Sequence, residues 1–452
     1  MGLSYKSVVP FSPEGIFTWH ERPGALRRLL PPWLPVRVVE EAASLRDGRA
    51  VLGLPLGLRV VAEHRPDGYD PPHSFTDEGA LLGWRHTRLF SATGEGSTLV
   101  EDRVRAPVPG ALLRQMFAYR HRQLAGDLAA HARASAWARS STGPMTVAIT
   151  GSSGLIGSAL VAFLTSGGHR VVRLVRRAPA TPDERNWDPA EPAKDLLAGV
   201  QAVVHLAGVP IMGRFSESHK RLVRESRTGP TRRLAEVAAR AAAGGGGPAC
   251  FVSASAVGYY GYDRGSEQLD EASSQGDGFV AALVGDWEAA TAPAAEAGLR
   301  VVNVRTGLAL SPRGGLLGLL YPVFFAGLGA KLGSGRQWMS WVSLDDLLDI
   351  YLRAIVDSNL SGPVNAVSPA PVTNAEFTRV LADVLNRPAL LSVPAPVVNL
   401  ALGHEAAQEF ALAGQKVVPA ALTKAGHEFR QPSLEVALRH LLGRWDLQQA
   451  YP

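Results

Sequence analysis

The stretch Thr146–Gly157, which reads TVAITGSSGLIG, decides the fold of this 452-residue chain. A short β-branched, apolar run ends in glycines at positions 151, 154 and 157, and an apolar helix-like segment follows. That order predicts a strand, a tight turn and a helix that begins at the turn, which is the context in which a glycine motif binds a nucleotide. Gly151 would allow the turn, Gly154 the approach of a pyrophosphate, and Gly157 close packing of helix on strand. We therefore predict a dinucleotide site here, with an ordinary glycine-rich turn as the alternative.

The bulk composition narrows the class of protein. The length predicts two or three domains, and 46% hydrophobic with 19% charged residues is typical of a globular enzyme. The net charge of +5 comes without a long basic block, so nucleic-acid binding has little support. Cys250 is the single cysteine, which excludes an intrachain disulfide and favours a reducing, cytoplasmic location. We expect no secretory signal, and no membrane span at 314–330, because glycines and Pro322 interrupt that uncharged segment.

Residues 1–138 show a pattern of their own. A strand at 4–9 precedes a helix over Phe11–Trp19, which has Ser12 as its cap and a proline in its first turn. Short strand candidates follow near 36–40, 50–54, 60–64, 74–78, 81–90 and 97–104. A long amphipathic helix near 111–137 ends the segment. This order predicts an α+β domain over residues 1–138.

The same layout, with the opening Val9–Glu14 (VPFSPE), resembles the START-like (SRPBCC, polyketide cyclase-like) helix-grip domain. In that domain a curved sheet wraps a long C-terminal helix. The resemblance implies an apolar cavity between sheet and helix, and an apolar ligand; a packing domain without a ligand is the alternative. The histidines of this third lack metal-ligand spacing, so we expect no metal site.

A polar linker at 139–144 separates this segment from a region in which strands and helices alternate. Strands are predicted near 146–150, 170–175, 202–206, 249–253 and 300–304, and helices near 156–166, 217–227, 230–243 and 280–297. Such alternation predicts an α/β fold, a doubly wound parallel Rossmann sheet over 145–392. Beyond about 308 the pattern is irregular, with helices near 374–385 and 434–442, and we expect a small C-terminal domain over 393–452 on the substrate side.

The end of the second parallel strand indicates which cofactor would bind. Arg176 and Arg177 stand where an NAD site usually carries an acid, and arginine accommodates the 2′-phosphate of NADP. We therefore predict NADP (NADPH), with a solvated basic turn as the alternative. The predicted cofactor-binding residues are Gly151, Ser152, Ser153, Gly154, Leu155, Ile156, Gly157, Arg176, Arg177, Leu206, Ala207, Gly208 and Ser253.

A second stretch with hydroxyl side chains ends the strand near 249–253. Ser255 would contact a substrate carbonyl or hydroxyl, and Tyr259 or Tyr260 would exchange a proton. Ligands of parallel α/β sheets bind at this carboxyl edge. The alternative is a serine that caps the next turn, with both tyrosines packed in the core.

These motifs together bring a family resemblance. Residues 145–452 resemble the extended short-chain dehydrogenase/reductases, within the NAD-dependent epimerase/dehydratase family, and more narrowly its YfcH-like subgroup. The resemblance rests on the motifs at 150–157, 205–211, 225–227, 253–261, 305–307, 333–337, 341–346 and 362–369. The segment 393–443 resembles the C-terminal domain of unknown function that this subgroup carries.

The resemblance implies a Ser at position 255 and a Tyr-x-x-x-Lys pair on the next helix, yet Phe279 and Leu283 occupy those two places. It also implies that Arg305 and Arg336 hold substrate phosphates, with an intramolecular ion pair as the alternative. The expected function is that of an NADP-dependent oxidoreductase or epimerase-like protein acting on a small carbonyl or hydroxyl substrate. A non-catalytic NADP-binding sensor or a partner-binding protein is the alternative, because the proton donor and its cation are both replaced.

Overall fold

A computed structural model describes residues 2–79, 83–137, 143–213 and 215–445. The described chain divides into two compact units. The first comprises residues up to 135, with 161–169 and the residues from 439 onward. The second comprises 136–160 and 170–438. The predicted linker residues 139–142 lie outside the described residues.

The first unit is an antiparallel sheet with two short helices and one long one. The sheet order is β1-β7-β6-β5-β4-β3-β2. Its elements are β1 (Gly2–Val9), α1 (Pro13–Glu21), α2 (Ala25–Leu29), β2 (Arg37–Glu40), β3 (Arg49–Gly53), β4 (Arg59–His64), β5 (Ser74–Gly79), β6 (Trp84–Gly94), β7 (Ser97–Arg105) and α3 (Gly110–Trp137).

The predicted α+β layout of this unit is confirmed. Ser12 caps α1 by accepting a hydrogen bond from Gly15 N, and the apolar face of that helix buries Ile16, Phe17 and Trp19. Two details differ: the sequence pattern missed the five-residue helix α2, and the strand expected at 81–90 is described from Trp84 onward. Residues 81 and 82 lie outside the described residues.

The second unit is built on a parallel sheet of order β10-β9-β8-β11-β12-β14-β19. Its strands are β8 (Thr146–Thr150), β9 (Arg170–Val175), β10 (Glu184–Asn186), β11 (Ala202–His205), β12 (Cys250–Ala256), β14 (Arg300–Thr306) and β19 (Gly362–Ala366). The helices between them are α4 (Leu155–Ser166), α5 (Glu217–Glu225), α6 (Thr228–Ala243), α7 (Phe279–Ala289) and α8 (Ala292–Glu296).

Shorter elements complete this unit. The strands are β13 (Asp263–Leu269), β15 (Leu308–Leu310), β16 (Ala330–Leu332), β17 (Trp338–Met339), β18 (Trp341–Ser343), β20 (Val372–Thr373), β21 (Leu391–Val393) and β22 (Gly414–Val417). The helices are α9 (Gly315–Phe325), α10 (Leu344–Val356), α11 (Asn374–Leu385), α12 (Ala395–Leu402), α13 (His404–Ala406), α14 (Ala420–Lys424) and α15 (Leu434–Leu441).

The predicted parallel sheet is confirmed, with differences at its edges. The sequence pattern missed β10 and β19, which flank the five predicted strands. The helix expected over 280–297 is two helices, because Pro293 lacks the N–H that a continuous helix requires and its ring would clash with the preceding turn. The predicted C-terminal segment pairs with the rest of the unit through β22 on β13.

The uncharged segment 314–330 contains α9, a helix of 11 residues. Among the residues that the structure describes, none of the helices is both long and apolar enough to cross a bilayer.

Candidate functional site

The glycine turn after β8 has the geometry that a phosphate requires. Gly151 has φ +65°, and a Cβ at this residue would lie 2.8 Å from the backbone carbon of Leu206. A Cβ at Gly157 would lie 2.2 Å from the carbonyl oxygen of Gly151, so only glycine allows the helix to approach the turn. At Gly154 the nearest atom would be 3.4 Å away, and Ser153 and Gly154 are exposed. The turn therefore leaves an open backbone surface at the N-terminus of α4, where an anion is favoured.

The end of β11 lies beside this turn, at the place where the order of the strands reverses. Thr150 Oγ1 accepts hydrogen bonds from Leu206 N (3.1 Å) and Ala207 N (3.2 Å) and pairs with His205 Nδ1 (2.7 Å). Burial lowers the pKa of His205 to about 3, so its ring is neutral. His205 is thus a core residue of the strand, while Leu206, Ala207 and Gly208 reach the surface beside Gly151.

The two arginines after β9 have different surroundings. The guanidinium of Arg177 makes two hydrogen bonds to Glu184, at 2.7 and 2.8 Å, and these lower the pKa of Glu184 to about 2. Arg176 is exposed and has no side-chain hydrogen bond to any residue in the described part of the chain. Arg176 is consequently the arginine of the pair that is available to a ligand.

Ser255, Arg305 and Asn365 stand side by side across three neighbouring strands. Ser255 of β12 is in register with Arg305 of β14, which is in register with Asn365 of β19. Two residues earlier in β12, Ser253 is in register with His205. Ser253 is buried and its hydroxyl donates to the carbonyl of Ala254, so only its backbone is left for a cofactor.

A buried ion pair organises this row of residues. Arg305 donates through Nε and Nη2 to the two oxygens of Glu288, both at 2.8 Å, and Ser255 Oγ donates to Glu288 Oε1 at 2.6 Å. Although burial opposes the charge, the hydrogen bonds that Arg305 donates to Glu288 raise the pKa of Arg305. The arrangement matches the intramolecular ion pair that the sequence left open for Arg305, and it does not leave this guanidinium free for a substrate phosphate.

The two tyrosines also differ. Tyr260 is fully buried; its hydroxyl donates to Asn365 Oδ1 (2.8 Å), accepts from Arg305 Nη1 (3.0 Å), and burial raises its pKa to about 12. Tyr259 is partly exposed, and the guanidinium carbon of Arg305 lies 3.5 Å from the centre of its ring. The geometry therefore places Tyr260 in a supporting position and leaves Tyr259 as the accessible phenol.

The helix that usually carries the Tyr-x-x-x-Lys pair begins at Phe279. Phe279 packs edge to face on Phe215 at 5.5 Å, and Leu283 is fully buried. The ammonium of Lys220 lies 5.6 Å from the Phe279 ring, but it is hydrogen-bonded to Glu405 and Glu217. Leu283 therefore offers no cation in place of the lysine of the Tyr-x-x-x-Lys pair.

Arg336 is exposed and lines a cleft of about 700 Å³ in the second unit, together with Tyr262, Asp263, Gln337 and Trp338. The ammonium of Lys416 lies 4.6 Å from the centre of the Trp338 ring. The described lining of the cleft therefore combines the cation of Arg336 with the aromatic side chains of Tyr262 and Trp338. Among the described residues, the structure shows no group of three or more acidic, histidine or cysteine side chains that could hold a metal ion.

Sequence reasoning missed three residues of the site: Glu288, Asn365 and Arg227. Arg227 is buried against Trp287, with its guanidinium beside the Cα of Gly208. The motifs at 225–227 and 362–369 were a signal for Arg227 and Asn365, whereas nothing in the sequence around Glu288, on α7, points to Ser255.

Comparison with known proteins agrees with this geometry. Residues 147–366 match the NAD dependent epimerase/dehydratase family, and residues 393–441 match a domain of unknown function, DUF1731. An epimerase family protein of Mycobacterium bovis is 48% identical over 301 residues, which is 66% of this chain and 98% of that protein.

Two solved structures are similar. A nucleoside-diphosphate sugar epimerase from Corynebacterium glutamicum has a TM-score of 0.86 and 43% identity, over 99% of this chain and 91% of that one. Human epimerase family protein SDR39U1, solved with NADPH, has a TM-score of 0.60 and 32% identity, over 67% of this chain and 100% of that one. The chain therefore belongs to the NAD dependent epimerase/dehydratase family of short-chain dehydrogenase/reductases, which bind NAD(P) through a Rossmann fold.

Proposed function

We propose that this protein is an NADP-dependent oxidoreductase or epimerase-like enzyme acting on a small carbonyl or hydroxyl substrate. The observation that carries the proposal is the row of Ser255, Arg305 and Asn365 at the carboxyl edge of the sheet that also presents the glycine turn. When bound there, the nicotinamide supplies or accepts a hydride. A cytoplasmic location belongs to the same proposal and rests on the single, buried thiol of Cys250.

The preference for NADP over NAD is assigned to Arg176. Its exposed guanidinium, directly after β9, is free to make the bidentate contact that arginine makes with a phosphate. The relative solved with NADPH supports this choice of cofactor. Arg177 has a structural role in the proposal, because its guanidinium is already hydrogen-bonded to the carboxylate of Glu184.

We expect Arg176→Asp to weaken binding of NADPH at least about tenfold, or ~1.4 kcal/mol, while NADH binding changes little. The reason is that the change removes a cation and places a carboxylate beside the 2′-phosphate. Calorimetric titration of both cofactors is the measurement. Arg177→Gln is the matched control and should alter the NADPH to NADH ratio less than threefold; equal effects of the two changes would place the 2′-phosphate elsewhere.

In the proposed mechanism Ser255 orients the substrate. While its proton points to Glu288, Ser255 presents lone pairs to a substrate hydroxyl; rotation of the Ser255 hydroxyl lets it donate to a substrate carbonyl instead. Tyr259 exchanges the proton of that oxygen, and the guanidinium of Arg305 packs on the face of its ring. Arg336 holds an anionic part of the substrate in the cleft that it lines with Tyr262 and Trp338.

The test is single-turnover oxidation of bound NADPH across a panel of small aldehydes and ketones. We expect Ser255→Ala and Tyr259→Phe each to slow hydride transfer by about 10²–10⁴-fold, the usual contribution of a positioned proton donor. Tyr260→Phe should keep the rate within about tenfold but lower the melting temperature, since it removes a buried hydroxyl between Arg305 and Asn365. If Tyr260→Phe abolished turnover and Tyr259→Phe did not, the roles would be reversed.

The alternative, a non-catalytic NADP-binding sensor or partner-binding protein, rests on the buried Leu283 and on Phe279. It predicts tight NADPH binding with no oxidation by any substrate of the panel.

The proposal includes a START-like role for the first unit, the binding of an apolar ligand between its sheet and its helices. Support comes from a cavity of about 150 Å³ lined by Leu26, Leu29, Leu52, Phe75 and Trp84, among others. An engineered protein cavity of about that volume accepts benzene. Protection of the full chain from thermal unfolding by small apolar compounds would support it.

A further inference from the structure

The cavity of the first unit has a polar wall as well as an apolar one. Eight titratable side chains line it: Glu21, Arg22 and Glu41, and, from five different elements, His20 of α1, His64 of β4, Asp77 of β5, His86 of β6 and Arg120 of α3. Burying ionised groups costs free energy unless opposite charges compensate each other. The balance of charge around this wall therefore indicates which charge a ligand of the cavity should carry.

Most of the charges behind the wall are paired. His86 lies between two carboxylates, with Nδ1 2.8 Å from Asp77 and Nε2 2.6 Å from Asp102. Because each ring nitrogen faces a carboxylate oxygen, both nitrogens donate and the ring is an imidazolium; burial opposes this charge, and the two carboxylates raise the pKa of His86. Arg88 donates twice to Asp102, at 2.6 and 2.7 Å. Two carboxylates thus compensate two cations.

The other two histidines bonded to this network are neutral. His20 Nδ1 lies 2.7 Å from the carbonyl of Ile16 and must donate to it, so His20 Nε2 accepts from Arg88. His121 Nε2 lies 2.6 Å from Asp102 and donates to it, so its Nδ1 accepts from the hydroxyl of Ser7. Burial lowers the pKa of both rings, in agreement with these tautomers.

Arg22 of the lining donates to the carbonyl of Ser166, so Arg120 is the lining arginine without a hydrogen-bond partner among the described residues. Its side chain makes no hydrogen bond to any residue in the described ranges, its Nε is buried, and its guanidinium lies 5.3 Å from the centre of the Phe117 ring. Burial, reinforced by Arg88, lowers the pKa of Arg120 to about 10, which still leaves it charged at neutral pH. The carboxylates at the rim are engaged elsewhere: Glu41 accepts from the backbone of Gly24 and Arg27, and Glu21 accepts from Tyr69.

We propose that the cavity binds a small apolar carboxylate, whose aromatic or short aliphatic body fills the apolar part and whose carboxylate pairs with Arg120. The inference rests on the proposed apolar-ligand function of this unit and adds the charge of the ligand. A guanidinium in a mostly apolar cavity matches a carboxylate through two parallel hydrogen bonds. Binding would also place a negative charge beside the guanidinium of Arg120, for which Asp77 and Asp102 provide no hydrogen-bonded counter-charge.

The test compares two probes of nearly equal shape on the full chain at constant ionic strength: sodium benzoate and neutral benzyl alcohol. We expect benzoate to bind at least tenfold more tightly, measured by calorimetry and by thermal shift. Arg120→Gln should abolish that preference while benzyl alcohol binds as before. Arg114→Gln, an exposed arginine on the same helix, is the matched control and should leave both affinities unchanged.

Removal of a partly buried cation without a hydrogen-bonded counter-charge should not destabilise the free protein, so Arg120→Gln is expected to melt no lower than the parent. If this variant fails to fold, the two probes on the unchanged protein and on Arg120→Lys decide the matter, with benzoate preferred in both. Equal affinity for the two probes would overturn the inference and leave the apolar-ligand proposal standing. Binding of neither probe would overturn both.

Discussion

Gly154→Ala is expected to lower the affinity for NADPH at least about tenfold, ~1.4 kcal/mol, without changing the fold. The new methyl group would lie 3.4 Å from the nearest atom, the carbonyl oxygen of Gly151, which the turn can tolerate. It would project from the exposed backbone surface against which a pyrophosphate is expected to lie, and would keep the phosphate from the N-terminus of α4. Calorimetric titration with NADPH, beside a thermal melt of the free protein, measures both effects.

Two further glycines make this experiment decisive. Gly157→Ala puts a methyl group 2.2 Å from a backbone oxygen, so it should damage both stability and cofactor binding. Gly246→Ala, in a loop where no atom lies within 4 Å of the new methyl group, should change neither. Wild-type affinity for NADPH in a well-folded Gly154→Ala protein would show that the turn does not hold the pyrophosphate, and the cofactor assignment would fail.

The second large effect is expected from Arg305→Gln, which should destabilise the second unit by roughly 3–5 kcal/mol and abolish turnover. Arg305 is 3% exposed and makes two hydrogen bonds to Glu288, so its loss leaves a carboxylate with little solvent and no counter-charge. Tyr260 would lose the donor to its hydroxyl, and Glu288, which accepts from Ser255, would lose the guanidinium that positions it. Urea unfolding and single-turnover oxidation of NADPH are the measurements.

The matched control is Arg379→Gln, which breaks an exposed ion pair with Asp383 on α11 and should cost less than about 1 kcal/mol. Adding Glu288→Gln to Arg305→Gln should restore part of the lost stability, because two neutral amides no longer leave a buried charge. Arg305→Lys should restore little, since one ammonium cannot make the three hydrogen bonds of the fork. A loss of stability no larger than that of Arg379→Gln would mean that the ion pair is not what holds the site together.

The residues that sequence reasoning proposed for catalysis and binding differ in whether the structure leaves them available to a ligand. Ser255 and Tyr259 surround one ion pair, whereas Tyr260 and Arg305 are occupied by partners of their own. Arg305 was expected to meet a substrate phosphate, and its guanidinium instead meets Glu288. Adjacent residues share almost all their sequence context, so no local pattern separates Tyr259 from Tyr260 or Arg176 from Arg177.

The resemblance also placed a missing lysine at Leu283, and the sequence near the tyrosines offered no other cation. The fold supplies one from β14, because parallel strands that are distant in the chain lie in register at the same sheet edge. Arg305 reaches the ring of Tyr259 across 46 positions of sequence by this route. Buried Asp102 in the first unit likewise gathers Arg88, His86 and His121 from two elements.

The sequence by itself determined the strand, glycine turn and helix at 146–166, the alternation that makes a parallel sheet, and the antiparallel meander with its long final helix. These features depend on local periodicity and on the backbone freedom of glycine, both of which can be read from neighbouring residues. Only the tertiary structure decided which arginine stays free after β9, which tyrosine is accessible, and where a buried cation lacks its counter-charge. The reason is that the charge, burial and hydrogen bonding of a side chain depend on the groups packed around it, and those groups come from elements far apart in the chain.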